Sequence, residues 1–181
     1  MTRPPRLVVT GTATMRSPLF SNWWELVDGD GYPLARLQRH PRLHVSTIEI
    51  EDGSTWLLEP AGNGVVIAMH EGTNEIGRIV RRSWWGRRWQ VSGPAWGYEV
   101  VSDRVPRRWH FAVGGEPVAV ITGSVLSYNT VTVDAVLPIQ VCAVVLAWHV
   151  IARPWEQAAA PRGLVPIRQR GTSTRPATGA A

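Results

Sequence analysis

The stretch VIAMHEGTNEIGRIVRR, residues 66–82, is the middle copy of a unit that recurs along the chain at a spacing of 42 residues. The other two copies are WELVDGDGYPLARLQRH at residues 24–40 and RWHFAVGGEPVAVITGS at residues 108–124. Each copy holds an apolar stretch, a glycine-containing turn and a second stretch of the form apolar–small–X–apolar, such as Ile76-Gly77-Arg78-Ile79. This arrangement predicts a β-hairpin, and its repetition predicts one supersecondary unit used several times.

Further short strands are predicted between the copies. Residues 45–51 read VSTIEIE, in which successive side chains alternate between two faces, and an Asp-Gly turn leads into the next apolar run. Counted along the whole chain, the pattern predicts about eleven or twelve strands of roughly four to eight residues, which is typical of an all-β sandwich or barrel.

The pattern changes at residues 135–152, which read AVLPIQVCAVVLAWHVIA. Because proline suits a first helical turn, we predict a helix from Pro138 to Arg153, about 24 Å long. A helix that is apolar on every face must be surrounded by apolar material. Two surroundings remain open from the residues alone: the interior of the preceding strands, or a bilayer, for which the helix falls short of the roughly 20 residues of a membrane span.

The remaining segments predict the domain organisation. Residues 1–20 are rich in proline, threonine and arginine and predict an irregular N-terminal lead, with a short strand at Leu7–Thr10 as its one regular part. Residues 21–155 contain the β domain, and residues 156–181 predict a disordered tail without periodicity. The apolar run Leu7–Val9 is too short for a secretory signal, so a cytoplasmic protein is expected.

The net charge of +5 comes from the two ends of the chain. Residues 1–22 and residues 155–181 each contribute +3, whereas residues 23–154 contain twelve arginines and thirteen acidic residues. Because the body of the protein is close to neutral, the high overall basicity is weak evidence for a nucleic-acid partner, and none is expected.

One segment of the body nevertheless concentrates positive charge. Residues 81–89 read RRSWWGRRW, and together with Arg78 they place five arginines between Glu75 and Glu99 with no acidic residue among them. Guanidinium groups bind phosphate oxygens bidentately, and indoles favour a membrane interface or stack on bases. The predicted binding residues are Arg78, Arg81, Arg82, Trp84, Trp85, Arg87 and Arg88.

A structural interpretation of the same segment is a plain turn with Trp85 and Trp89 in the core and the arginines merely solvated. The stretch Pro106-Arg107-Arg108-Trp109 repeats the pattern more weakly.

No metal site is predicted. The stretch Asp28-Gly29-Asp30-Gly31 resembles the start of a calcium loop, but Arg39 stands where an EF-hand needs a glutamate. His40 and His44 have a spacing that would suit zinc on a helix, which Pro41 prevents.

No cofactor and no enzymatic activity are predicted, because no set of nucleophile, base and orienting group can be assembled. An enzyme would become the better hypothesis if His70 or His110 lay beside Asp103 in a cleft. The single cysteine, Cys142, is predicted to be a buried apolar residue, and His149 a core histidine bonded to Gln140 or a strand carbonyl.

The hairpin repeats, best seen in Ile76-Gly77-Arg78-Ile79, and the strand Tyr128–Asp134 running into the apolar helix resemble the tubby C-terminal-like superfamily. Within it, the chain is most similar to the branch of LURP-one-related proteins and phospholipid scramblases. This resemblance covers residues 20–155 and implies a closed barrel of about twelve antiparallel strands around the C-terminal helix. No binding motif of the family matches residue by residue, and the acidic calcium segment of scramblases is absent.

The function expected from these observations is that of a non-enzymatic binding protein. Its arginine- and tryptophan-rich segment would engage an anionic phospholipid or membrane surface, so that the cytoplasmic protein becomes membrane-associated without a transmembrane span. A protein–protein adaptor, with exposed tryptophans at the contact and arginines around them, is the alternative.

Overall fold

Twelve antiparallel strands form a closed barrel in which each strand pairs with its neighbours in sequence and β12 closes onto β1. The computed structural model of the chain describes residues 7–18, 21, 23–40, 44–124 and 129–159, with the helical side chains as far as residue 152. The strands are β1 (Val8–Arg16), β2 (Trp23–Asp28), β3 (Pro33–His40), β4 (Val45–Ile50), β5 (Thr55–Gly62), β6 (Val65–His70), β7 (Asn74–Arg81), β8 (Arg88–Gly93), β9 (Trp96–Ser102), β10 (Arg108–Val113), β11 (Glu116–Gly123) and β12 (Thr130–Gln140). One helix, α1 (Val141–Ala159), follows β12 directly.

The three copies of the sequence repeat are the hairpins β2–β3, β6–β7 and β10–β11, as predicted. In the first hairpin, the Asp28 carboxylate accepts hydrogen bonds from the backbone N–H groups of Asp30 and Tyr32 at 3.0 and 2.9 Å. Gly31 in this turn has φ 84°, a conformation that side chains with a Cβ rarely adopt. The prediction of an all-β barrel is therefore confirmed down to its hairpin unit.

Helix α1 lies inside the barrel, and its described side chains are buried except that of Val150, which is partly buried. The Trp148 ring packs edge-on against Trp24 of β2 with a centroid distance of 5.7 Å, and Cys142 faces Gly77 of β7. A Cβ added at Gly77 would stand 3.0 Å from the Cys142 sulfur, which explains the small residue in this copy of the repeat. The strand wall is thus the apolar surrounding that the helix requires. No helix in the described ranges is long and apolar enough to cross a bilayer.

The predicted helix start at Pro138 is wrong. Pro138 belongs to β12, and α1 begins at Val141. Between Ala135 and Ile139 the ladder to β1 is interrupted by an irregularity, so residues 136–138 have no register partner on that strand. A proline without an N–H group is tolerated at such a bulge, and the bulge leaves Val136 81% exposed.

The expectation of an irregular lead over residues 1–20 is also corrected, because the short strand predicted at Leu7–Thr10 is the start of a longer one. Residues 8–16 form β1, which pairs with both β2 and β12 and points Ala13 and Met15 into the core. Its threonines are β-branched and suit a strand even though they obscure the apolar pattern. Residues 156–159 continue α1, while residues 1–6 of the lead and 160–181 of the predicted tail lie outside the described residues.

Successive strands run in opposite directions, so alternate connections lie at opposite ends of the barrel. The lower end, where α1 begins, holds the turns at residues 29–32, 51–54, 71–73, 94–95 and 114–115. The upper end, towards which α1 runs, holds the connections at residues 63–64, 82–87 and 103–107, and the described ends of β1, β3 and β11.

Candidate functional site

The arginine- and tryptophan-rich segment forms the connection between β7 and β8 at the upper end. Its turn is held by its own hydrogen bonds: the Ser83 hydroxyl accepts from the backbone N–H groups of Arg87 and Arg88 at 2.8 and 2.9 Å. The Gly86 N–H donates to the Ser83 carbonyl at 3.1 Å, and Gly86 has φ 66°. Because these bonds close within the segment, the turn has a defined shape of its own.

Two consecutive tryptophans project from this turn. Trp84 and Trp85 are 85% and 84% exposed, whereas Trp89 is half-buried and packs against the core. The Trp89 indole N–H donates to the Gly86 carbonyl at 2.8 Å. The interpretation that placed Trp85 in the core is therefore wrong: Trp85 belongs to the turn, and only Trp89 sits on the inward side of a strand.

Four arginines surround the two tryptophans. Arg81, Arg82, Arg87 and Arg88 are exposed, and within the described ranges none of them is paired with a carboxylate. Arg82 donates from Nε to the Gln90 side-chain oxygen at 2.9 Å, so it is positioned without losing its charge. The four guanidinium groups therefore leave an uncompensated positive field around the indoles.

Arg78 is separated from this group. It lies on the outer wall of β7 and makes two hydrogen bonds to the carboxylate of Glu75, at 2.6 and 2.8 Å. This bidentate pair lowers the pKa of Glu75 and raises the pKa of Arg78. Of the seven predicted binding residues, six lie together at the turn, and the charge of the seventh is compensated locally.

A cavity of about 250 Å³ opens beside the turn at the upper end. Trp89, His149 and Val150 line it together with residues of the β5–β6 turn and His44. The Nδ1 atom of His149 lies 2.9 Å from the Ser46 hydroxyl, a partner that the sequence did not predict. The cavity could not be predicted from sequence, because its walls come from segments about 100 residues apart.

The histidine–aspartate pair that would favour an enzyme is partly formed. His110 Nε2 lies 3.0 Å from an Asp103 carboxylate oxygen, and this hydrogen bond is the main cause of a lowered Asp103 pKa. His70 lies at the lower end, away from this pair. His110 lies on β10 and Asp103 in the connection between β9 and β10, and neither lines the upper-end cavity. The absence of catalysis stays a prediction.

The sequence motifs weighed for metals have structural roles. Asp28 organises a hairpin turn, and Arg39 is buried with its guanidinium 4.6 Å from the centre of the Trp148 ring. His40 bonds the Thr47 hydroxyl at 3.2 Å. In the part of the chain that the structure describes, no group of three or more His, Cys, Asp or Glu side chains could hold a metal ion.

Comparison with known proteins bears on the fold. No protein-family model and no curated protein matches the sequence. The X-ray structure of the protein AT5G01750 from Arabidopsis thaliana is similar to this chain with a TM-score of 0.54 and 11% sequence identity. The similarity covers 86% of this chain and 96% of the Arabidopsis chain. The two proteins share a fold. An identity this low carries no information about function.

Proposed function

We propose that this chain is a non-enzymatic binding protein that docks on an anionic membrane surface through residues 81–88. The observation that carries the proposal is the turn itself: two almost fully exposed tryptophans among four arginines without carboxylate partners in the described residues. Tryptophan is normally well buried, so two adjacent exposed indoles point to a surface that contacts something.

The chemistry of the turn matches that of an anionic bilayer surface. Indoles partition to the headgroup region, where the ring is apolar and the N–H group can still bond water or a headgroup. Guanidinium groups bind phosphate oxygens, and each cationic side chain near an anionic leaflet contributes about 1 kcal/mol. Because the turn is held by internal hydrogen bonds, little conformational freedom is lost on docking.

The barrel with its enclosed helix supports a relation to the tubby C-terminal-like superfamily and its LURP-one-related and scramblase branch. The known activities of that superfamily are binding roles, several of them at membranes. Such a relation is consistent with the proposed membrane-docking function. It adds no binding residue to those of the turn.

A protein–protein adaptor is the second candidate, because exposed tryptophans ringed by arginines also suit a protein contact. The dependence of binding on ionic strength distinguishes membrane docking from a protein–protein adaptor. Docking on an anionic bilayer weakens steeply as salt screens the arginines, whereas a contact centred on the indoles responds little.

The test is co-sedimentation with vesicles of phosphatidylcholine containing phosphatidylserine, against vesicles of phosphatidylcholine alone. We expect wild type to bind only the anionic vesicles, and the variant Arg81→Ala/Arg82→Ala/Arg87→Ala/Arg88→Ala to bind at least about 100-fold more weakly. As matched single substitutions, Arg87→Ala weakens binding about fivefold and Arg78→Ala less than about twofold, since Glu75 already compensates Arg78. Equal binding by wild type and the fourfold variant, or none by either, removes the membrane proposal and leaves the adaptor.

A further inference from the structure

We propose that the barrel docks end-on, with its upper end facing the anionic bilayer and the loop Asp103–Arg107 as a second contact beside the β7–β8 turn. This inference rests on the proposed function and adds the orientation of the protein and a second binding loop.

The two loops are direct neighbours. Strands β8 and β9 pair with Arg88 opposite Val101, and the Ser102 N–H donates to the Arg87 carbonyl at 2.9 Å. The β9–β10 loop therefore begins where the β7–β8 turn ends, and the two make one continuous surface.

The second loop repeats the chemistry of the first on a smaller scale. Arg104, Val105 and Pro106 are exposed, and Val105 is 51% exposed at the upper end. Asp103 is the acidic residue of this loop, and its carboxylate lies 3.0 Å from His110 Nε2 and 3.6 Å from Arg108 Nε. The carboxylate of Asp103 is thus paired with His110 and Arg108 of β10. The exposed side chains of the loop are those of Arg104, Val105 and Pro106.

The described residues at the two ends of the barrel have opposite net charge. At the upper end, the described turns and the strand residues that border them contain one aspartate, Asp103, and eight arginines: Arg16, Arg81, Arg82, Arg87, Arg88, Arg104, Arg107 and Arg108. The corresponding described positions of the lower end contain no arginine and six acidic residues: Asp28, Asp30, Glu51, Asp52, Glu71 and Glu116.

This separation of charge sets the orientation. An anionic surface attracts the upper end and repels the lower end. The electrostatic energy is therefore lowest when the barrel axis is perpendicular to the bilayer surface and the upper end faces it. The wall between the ends carries mixed charge: Arg36 pairs in register with Glu25 on one side and Glu49 on the other. A side-on approach would bring such carboxylates to the anionic surface.

Two valines provide a matched test. Val105 in the β9–β10 loop at the upper end and Val113, the last residue of β10 at the lower end, are 51% and 50% exposed. In sedimentation with phosphatidylserine-containing vesicles, we expect Val105→Asp to weaken binding about fivefold and Val113→Asp to change it less than about twofold. Equal effects of the two substitutions, in proteins with wild-type circular dichroism, would overturn the end-on orientation.

A label reports the orientation independently of these charges. In a Cys142→Ala background, a solvent-sensitive fluorophore is attached to Val105→Cys or, as the control, to Tyr32→Cys at the lower end, and a quencher is placed on the lipid. We expect quenching at position 105 and none at position 32. Bound protein with position 105 unquenched, or with both positions quenched, contradicts the orientation while the proposed function stands. Failure of unlabelled wild type to sediment with the vesicles overturns both.

Discussion

Trp148 and Trp84 have the same side chain in opposite surroundings. Trp148, on the enclosed helix, is 1% exposed and packs against Trp24 and the buried Arg39. Trp84 is 85% exposed on a turn whose hydrogen bonds do not involve its ring. The barrel interior is therefore stabilised by packed rings such as that of Trp148, whereas the hydrogen bonds of Ser83 and Trp89 hold the upper-end turn without the Trp84 and Trp85 rings. Side chains that the fold does not require are available for binding.

The largest effect is expected when a charge is introduced in the barrel interior, with the same substitution at the surface as the control. Val145 is fully buried on α1, and Val136 is 81% exposed at the β12 bulge. An unpaired carboxylate inside the barrel has no partner, so we expect Val145→Asp to cost at least about 5 kcal/mol and to abolish folded protein. Val136→Asp should cost less than about 0.5 kcal/mol. Soluble Val145→Asp protein with a cooperative, wild-type melting transition would show that the helix does not need its enclosed position.

A smaller effect is expected where the interior is polar. Ser46→Ala removes the hydroxyl that lies 2.9 Å from His149 Nδ1 and leaves a buried polar atom without that hydrogen bond. The free energy of unfolding should fall by about 1–3 kcal/mol, measured by urea denaturation. Ser92→Ala on the outer wall of β8 is the control, expected within about 0.5 kcal/mol of wild type. Equal values for the two variants would mean that the Ser46–His149 bond contributes nothing to stability.

A pH-dependent effect is expected at Cys142. Burial raises the pKa of its thiol to about 12, so the folded protein keeps the proton while the unfolded thiol loses it above about pH 8.5. The unfolded state then binds fewer protons than the folded state, and stability must fall as the pH rises towards 12, by up to about 1.4 kcal/mol per pH unit. Urea denaturation from pH 8 to 10.5 should show this loss in wild type and not in Cys142→Ala. If the free energy of unfolding fell equally with pH in wild type and in Cys142→Ala, the loss could not come from the Cys142 thiol.

Much of the fold could be predicted because hairpin turns and strand alternation are local. The repeat around Ile76–Ile79 and the Asp28–Tyr32 turn specify hairpins from neighbouring residues alone. The helix start was misplaced because a proline suits a first helical turn and a β-bulge equally well, and only pairing with β1 decides between them. Strand β1 was predicted only as a short strand at Leu7–Thr10 for a related reason, since its full length follows from closing the barrel with β12, more than 100 residues away.

The sequence predicted which residues make up the candidate site but not how they are arranged. The sequence identified the arginines and tryptophans of residues 81–88, and it could not decide which indoles face outward. That depends on the turn register, which buries one side of Trp89 and leaves Trp85 outside. The pairing of Arg78 with Glu75, the neighbouring β9–β10 loop and the opposite charges of the two ends require the strand order. The cavity at the upper end also depends on that order.

The most direct test of the central claim is vesicle binding by the variant Trp84→Ala/Trp85→Ala. Since these rings contribute almost nothing to the fold, we expect its free energy of unfolding to stay within about 0.5 kcal/mol of wild type. Its partition onto phosphatidylserine-containing vesicles should fall at least about tenfold, because two indoles no longer enter the interface. Wild-type partition by the folded variant would contradict the account, since the exposed tryptophans would then have no part in docking.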